Sequence, residues 1–473
     1  MHEIINWGIL GAGNIAHRFA ESLKHDENSR LYAIAARNPD KAKAFVQNNP
    51  ADKIYLDYEE MLQDDEIDAI YLALPHGLHY EWTIRSLNHH KPVLCEKPAM
   101  LNAKQMEEVK ECALKNQCLF MEAMKPRFVP VYPLLKEKAK EMGLITKVEA
   151  SLCNDMLSYI AGTGSYHMQS SQGGCLLDGG IYCATYLEDF LEGDISLDLL
   201  RGDVYNGVDV YLNAGLMIGE SPATLECAFD RGRERKAVLY FENGKIEIPE
   251  LHRPEKIIVC KDNHEEELVM PYVYDDFYGE IVHFETCLRQ GLLQSDVMSL
   301  DDSIRCAKIL DTIRSGMIYD QNDQDILIEQ ETILQYESFS CNDALELGNR
   351  IIKNQKRYDR EIAVSIIRES DGLTMFQFAM DSKNEKNIGY MAAKRNAVLK
   401  TGHSSLYSAI TKKNDDDKDC LNSAGAFPIY VNHQHVATVM VSGLHEGLDH
   451  ELIIRSLSEV LDKDVPEFRK LML

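Results

Sequence analysis

Two tryptophans in 473 residues, and twelve cysteines without one C-x-x-C spacing, leave no material for zinc knuckles or a disulfide framework. The cysteines, spread from Cys95 to Cys420, read as free thiols of a reducing compartment. Positive charge is scarce too: 50 Lys and Arg stand against 76 Asp and Glu, a formal net charge of −26 with His neutral. Such a chain repels a polyanion, so no nucleic-acid partner is expected. The opening MHEIINWGILGAG has no basic segment leading into an apolar stretch and a small-residue cleavage site, so a cytoplasmic location is expected. A composition of 45% hydrophobic and 27% charged residues is that of an ordinary globular protein and argues against disordered or membrane-spanning classes. At roughly 100 to 200 residues per domain, the length allows two to four domains.

What is present begins with a β-rich run, IINWGIL, that leads into Gly11-Ala12-Gly13-Asn14-Ile15-Ala16 and then a stretch of helical spacing, HRFAESLK. Gly11 permits the tight turn, Gly13 lets the backbone approach a pyrophosphate, and small Ala16 lets the helix lie close to the strand. The first turn of that helix, with Asn14 and Ile15, offers unpaired N–H groups and a positive dipole end to phosphates. A second strand, LYAIAA, ends at Arg37-Asn38, where an NAD-selective protein usually has an acidic residue for the ribose 2′-hydroxyl. An arginine there suits a 2′-phosphate, so NADP is expected ahead of NAD. IDAIYLAL ends in Leu74-Pro75-His76-Gly77-Leu78-His79, and PVLCEKPAM follows the next helix. Alternating strands and helices predict an α/β fold with a doubly wound parallel sheet, whose ligands sit at the carboxyl ends of the strands. Leu74, Pro75, His76, His79 and Glu96-Lys97 all fall at such ends.

At Glu96-Lys97-Pro98 the chain resembles the glucose–fructose oxidoreductase/inositol dehydrogenase (Gfo/Idh/MocA) family, which joins this motif in a Rossmann domain to a second sheet domain. Met121-Glu122-Ala123 with Arg127-Phe128, the segment Gly173-Gly174-Cys175-Leu176-Leu177-Asp178-Gly179-Gly180-Ile181-Tyr182, and Tyr278-x-Glu280 through His283-Phe284 follow in family order. The branch with dimeric dihydrodiol dehydrogenase and NADP-linked xylose dehydrogenase looks nearest, because Tyr182 stands where many relatives have histidine. That branch often carries an aromatic residue where this chain has Lys125-Pro126, which favours a sugar or polyol over an aromatic diol. Relatives use a cis peptide to aim the lysine, which the resemblance implies for Lys97-Pro98.

Hydride transfer between an alcohol carbon and nicotinamide needs a proton-transfer group, a positive charge beside the developing alkoxide, and fixed geometry. Lys97, Asp178 and Tyr182 supply this set. The resemblance implies that Lys97 points at the substrate hydroxyl, with Tyr182 as acid/base and its pKa lowered by the ammonium. Asp178, at i, i+4 from Tyr182, is expected on the same helix face, orienting substrate and Lys97. Tyr159 and His167 are candidates for the substrate wall, and Arg127 for the wall of the cofactor or substrate site. A second reading of the same residues is a redox-neutral sugar-converting enzyme with a tightly held cofactor, and a third is a dinucleotide-binding sensor. No metal site is expected: His89-His90 and His433/His435 lack acidic or cysteine partners at ligand spacing.

From about 121 to 320, strand-like stretches with alternating polar and apolar positions predict an α+β domain with an open, mostly antiparallel sheet. In this family such a sheet commonly forms a subunit interface, so a homo-oligomer is expected. The expected boundaries are a dinucleotide-binding domain at 1–120, a substrate and oligomerisation domain at 121–320, a polar linker at 321–330 and a small α/β domain at 331–473. That last domain resembles the haem-degrading GlcG/HbpS-like group through Lys394-Arg395-Asn396, Gly425-Ala426-Phe427-Pro428-Ile429, Val441-Ser442-Gly443-Leu444 and Asp449-His450-Glu451. Two readings of it stay open: an assembly module, or a small-molecule or haem-binding module with His403 or His450 as axial ligand. Asp415-Asp416-Asp417 reads as a solvated loop.

Overall fold

In a computed structural model, residues 3–205, 208–262, 264–317, 323–358, 360–411, 417–444 and 447–466 are described. Strands β1 (Ile5–Leu10), β2 (Ser29–Ala35), β3 (Lys53–Tyr55), β4 (Ala69–Leu72), β5 (Val93–Glu96) and β6 (Phe120–Ala123) form a parallel sheet in the order β3-β2-β1-β4-β5-β6. Burial on both faces explains their continuous apolar runs. β1, β4, β5 and β6 are buried at every position. On one face Trp7, Phe19 and Tyr71 pack with Phe277, Ile281 and Phe284; Phe19 stacks on Tyr71 at 3.7 Å. The helix Tyr278–Arg289, distant in sequence, thus covers the sheet beside the helix Asn14–Leu23. The strand order reverses at β1/β4, the crevice where α/β sheets bind ligands.

The second sheet runs β14-β13-β12-β11-β7-β10-β9-β8, from β7 (Ile145–Cys153), β8 (Ile195–Tyr205), β9 (Val208–Ile218), β10 (Ser221–Ala228), β11 (Lys236–Phe241), β12 (Gly244–Pro249), β13 (Lys256–Lys261) and β14 (His264–Val269). It is mostly antiparallel, with β7 and β10 paired in parallel. A π-helical turn, Leu176–Gly180, continues directly into the helix Ile181–Phe190, which packs on β7 and β10. Gly174 sets up this turn in a left-handed conformation, φ +101°, and a side-chain carbon there would lie 2.0 Å from Asp209 Oδ1. Asp209 Oδ2 accepts the Leu176 N–H at 2.7 Å, so the carboxylate caps the turn where the glycine leaves room for it.

A third sheet, β16-β15-β18-β17, is built from β15 (Ala363–Arg368), β16 (Thr374–Ala379), β17 (Ala426–Val431) and β18 (Gln434–Ser442). The helices Cys341–Gln355 and Leu448–Leu461 bury their apolar faces against it. By compactness the chain divides into 1–198 with 205–313, and 199–204 with 314–473. The three-sheet architecture is the one the sequence pattern predicts. The linker expected at 321–330 differs: 321–322 lie outside the described residues, and from Asp323 the chain is helical to Ile333. Its polar residues suggested a loop, but Leu327 and Gln330 are buried, so this stretch is a packed element of the tail. Asp415 and Asp416 lie outside the described residues; Asp417 forms an ion pair with Lys400.

Candidate active site

A cavity of about 780 Å³ opens along the carboxyl ends of β1, β2, β4 and β5. One end is the glycine turn. Gly11 has φ +103°, and a side-chain carbon there would meet the Ala73 carbonyl oxygen at 2.5 Å, so only glycine fits. At Gly13, the N-cap of the helix Asn14–Leu23, the space a side chain would fill is open, and no side chain caps the helix. Its first N–H groups are therefore available to an anion. These features fit a dinucleotide pyrophosphate. Ala16 is fully buried against the sheet and lies outside the cavity wall, consistent with close helix–strand packing.

Arg37, Asn38 and Lys41 line the cavity beyond β2. Asn38 caps the helix Pro39–Asn48 by accepting the N–H groups of Asp40 and Lys41. The Arg37 guanidinium lies 5.8 Å over the Tyr58 ring. Leu74, Pro75, His76 and His79 follow β4 along the wall. His79 has no exposed surface; its Nδ1 lies 3.0 Å from the Pro98 carbonyl oxygen and its Nε2 2.7 Å from that of Leu74, tying together the two strand-end loops. Burial holds His76 well below the ordinary histidine pKa, with His79 and Lys97 adding to the effect, so it is neutral near pH 7.

Glu96 and Lys97 reach the centre. Lys97 Nζ donates to Asp178 Oδ1 at 2.7 Å and to the Asp178 carbonyl oxygen at 2.9 Å. Burial raises the Asp178 pKa, but Lys97, His167 and His76 outweigh it and hold the carboxyl well below the usual range. The Lys97-Pro98 peptide is cis. Behind the lysine, Tyr71 donates its hydroxyl hydrogen to Glu96, which also accepts the Lys97 N–H at 3.2 Å. The facing wall is one segment after β7: Met156, Tyr159, Ile160, Thr163, Ser165, Tyr166 and His167. It is tied to the strand-end loop through Gln172, whose Oε1 accepts the Gly77 N–H at 2.8 Å and whose carbonyl oxygen lies 3.1 Å from His76 Nδ1. Tyr159 is 69% exposed, so this wall is open to solvent at its rim.

Residues 5–124 match the sequence pattern of an oxidoreductase family with an NAD-binding Rossmann fold, Gfo/Idh/MocA. Trans-1,2-dihydrobenzene-1,2-diol dehydrogenase of Xenopus tropicalis is 32% identical over 321 residues, 64% of this chain and 96% of that protein. The chain belongs to the Gfo/Idh/MocA family. Another member, an NADP-dependent scyllo-inositol 2-dehydrogenase of Bacillus subtilis, is 29% identical over 323 residues, 67% of this chain and 98% of that one. Among solved structures, the 3-ketoreductase KijD10 of Actinomadura kijaniata in complex with NADP and TDP-benzene superimposes with a TM-score of 0.60. It is 26% identical and covers 66% of this chain and 98% of its own. Residues 339–458 match a second pattern, that of the haem-degrading HbpS-like proteins.

Two residues expected at the Gfo/Idh/MocA site stand differently. Arg127 is buried and bonded to Thr185, Glu188 and Asp302, with no place in the cavity wall. Its charge is spent fastening the helix Ile181–Phe190 to the chain around residue 302. Tyr182 is 6% exposed and also outside the wall, with Lys97 Nζ 4.8 Å from its ring centroid. Its pKa is raised and not lowered: burial acts first, then the carboxylates of Glu96 and Asp178. Lys125, the basis for preferring a sugar, is buried on Asp276 at 2.8 Å and does not line the cavity. Asp178 lies within the π-turn and Tyr182 in the first turn of the helix that follows, so the pair does not sit on a regular i, i+4 α-helix face.

The sequence reading missed Arg18, Lys41, Ser165 and Tyr166. Lys41 carried a signal, one helical turn beyond Arg37 after the second strand; the other three gain their place only through tertiary packing. In the tail, His403 Nδ1 pairs with Glu331 at 2.6 Å and buried His450 Nε2 lies 2.9 Å from Gln330 Oε1, so each ring has one nitrogen engaged. Among the described residues, no group of three or more His, Cys, Asp or Glu side chains is placed to hold a metal ion, and no helix is long and apolar enough to cross a membrane.

Proposed function

We propose that this chain is an NADP-preferring oxidoreductase that interconverts a hydroxyl and a carbonyl on a sugar, polyol or related diol, with Lys97 and Asp178 at the reacting centre. One observation carries the reading: the Lys97–Asp178 pair lies in the same cavity as the glycine turn and its open helix N-terminus. Nicotinamide, when bound, supplies the hydride acceptor or donor. Lys97 places an ammonium where alkoxide charge develops, and Asp178 holds that ammonium in a fixed direction. Arg37 and Lys41 provide the positive charge that suits a 2′-phosphate. The inositol and diol dehydrogenase and 3-ketoreductase activities named for the relatives support a hydroxylated substrate of this kind. A homo-oligomer, and an assembly role for the tail, are parts of the same proposal.

The test is titration of the purified protein with NADP and NAD, a native mass, and a panel of sugars, polyols and diols read at the reduced-nicotinamide absorbance. Growth of that absorbance with a panel member is the expected result. Tight NADP binding with no absorbance change across the panel in either direction overturns the dehydrogenase reading.

A further inference from the structure

On one side of the Lys97–Asp178 pair lies Tyr182, its ring centroid 4.8 Å from Lys97 Nζ. On the other side stands His167. Its Nε2 lies 3.8 Å from Asp178 Oδ1 and its Nδ1 2.6 Å from Ser165 Oγ. The ring lines the cavity, keeps 19% of its side-chain surface exposed, stacks on Tyr166 at 4.1 Å and meets the Phe229 ring edge-on at 5.9 Å. Lysine, carboxylate, imidazole and hydroxyl thus form one file from the reacting centre towards the segment that borders solvent.

We propose that His167 is the proton-relay residue of this site, moving a proton between the Lys97–Asp178 pair and solvent by way of Ser165. The proposal rests on the oxidoreductase reading above and extends it. In the oxidative direction an ammonium proton of Lys97 passes to Asp178 Oδ1 and on to His167 Nε2, while the Nδ1–H of the same ring donates to Ser165. The neutral Lys97 amine then takes the substrate hydroxyl proton as the carbinol C–H bond breaks. The hydride and its electron pair leave for the oxidised dinucleotide, and the C=O bond forms. Lys97 is again an ammonium and Asp178 a carboxylate, and the imidazolium loses one proton to solvent, so one proton is released per hydride moved. Reduction runs the same file backwards.

The groups that face His167 are Asp178 from the π-turn, Lys97 behind it from the end of β5, Tyr166 beside it and His76 from the loop after β4, with ring centroids 6.3 Å apart. His76 is neutral near pH 7, so the charges acting on the relay are those of Asp178 and Lys97.

The experiment uses the full chain with NADP and a substrate found by the panel, and compares the wild-type protein, His167→Gln and Tyr182→Phe in kcat across pH. His167→Gln is expected to bind NADP with unchanged affinity, to lose at least about 100-fold in kcat, to change the shape of its pH profile, and to regain rate in proportion to added imidazole. Wild-type rate and profile in His167→Gln, with turnover abolished in Tyr182→Phe, overturns the relay and leaves the oxidoreductase reading standing. A slow His167→Gln variant that imidazole does not rescue, with an unaltered pH profile, also overturns the relay, because a merely structural ring would behave that way. Failure of the wild-type protein on the whole panel overturns both.

Discussion

Lys97 contributes charge at a point where geometry is already fixed, and its neighbours show the division of labour at the scale of single residues. Lys97→Met keeps the glycine turn and the open helix N-terminus, so NADP affinity should change little while turnover falls by at least about 100-fold. Stopped-flow hydride transfer together with a fluorescence titration of NADP separates the two; normal turnover in this variant would remove Lys97 from the chemistry. Arg37 is the complementary case. Arg37→Asp places a carboxylate where a 2′-phosphate would sit and a ribose hydroxyl would be welcome, so the ratio of NADP to NAD affinity should fall by at least about tenfold. An unchanged ratio would assign the 2′-phosphate elsewhere. The glycines, Arg37, Glu96 and Lys97 were legible from the sequence because strand ends announce themselves through apolar runs. The raised pKa of Tyr182 was not legible, because its burial and its nearness to Glu96 and Asp178 are set by packing.

Among elements, the π-turn at 176–180 decides the direction of Asp178. It depends on Gly174, where φ is +101° and Asp209 fills the space a side chain would need. Gly174→Ala should cost at least about 2 kcal/mol in urea unfolding, from left-handed strain together with displacement of the Asp209 cap. Because the turn carries Asp178, the same variant should lose turnover by more than its lost folded fraction explains. A fully stable and active Gly174→Ala protein would show that the turn tolerates rebuilding. Sequence periodicity gave the helices and strands but not this turn, since G-G-C-L-L-D-G-G reads equally as a loop or a helix start. The helix Asp323–Ile333 escaped for a related reason, its first turn being as polar as the stretch before it. The relay residue His167 was named as part of the substrate wall, yet its distance to Asp178 comes from a fold in which β7 and β10 lie side by side.

Across the whole molecule, buried carboxyls set the pH dependence of stability. Asp178 and Asp276 are held low by Lys97 and Lys125, against a burial effect that would raise them. Their contribution is complete above the unfolded aspartate range and is lost as pH falls through their depressed values. Glu188 and Glu285 move oppositely, pushed up to about 7 chiefly by burial. There the folded state keeps a proton that the unfolded chain has released, so stability declines as pH rises from the glutamate range to about 7 and then levels off. A stability maximum on the acid side of neutrality is therefore expected in urea unfolding followed by tryptophan fluorescence. Glu285 accepts the Trp7 indole N–H at 3.0 Å, so the emission itself should titrate. Glu285→Gln should flatten the decline and raise stability at pH 8 by an amount on the order of 2 kcal/mol. A steeper decline in that variant would contradict the assignment.

The two walls of the cavity differ in how they are strung along the chain. The glycine turn, Arg37, His76 and Lys97 come from four separate strand ends, whereas the opposite wall from Met156 to His167 is one unbroken ribbon. A ribbon of this kind can be exchanged whole between relatives, by recombination or by an engineer, to alter appetite for one polyol over another. Here the ribbon also bears the histidine beside Asp178. Taste and proton traffic are therefore inherited together, and a graft that leaves His167 behind would trade away speed along with selectivity.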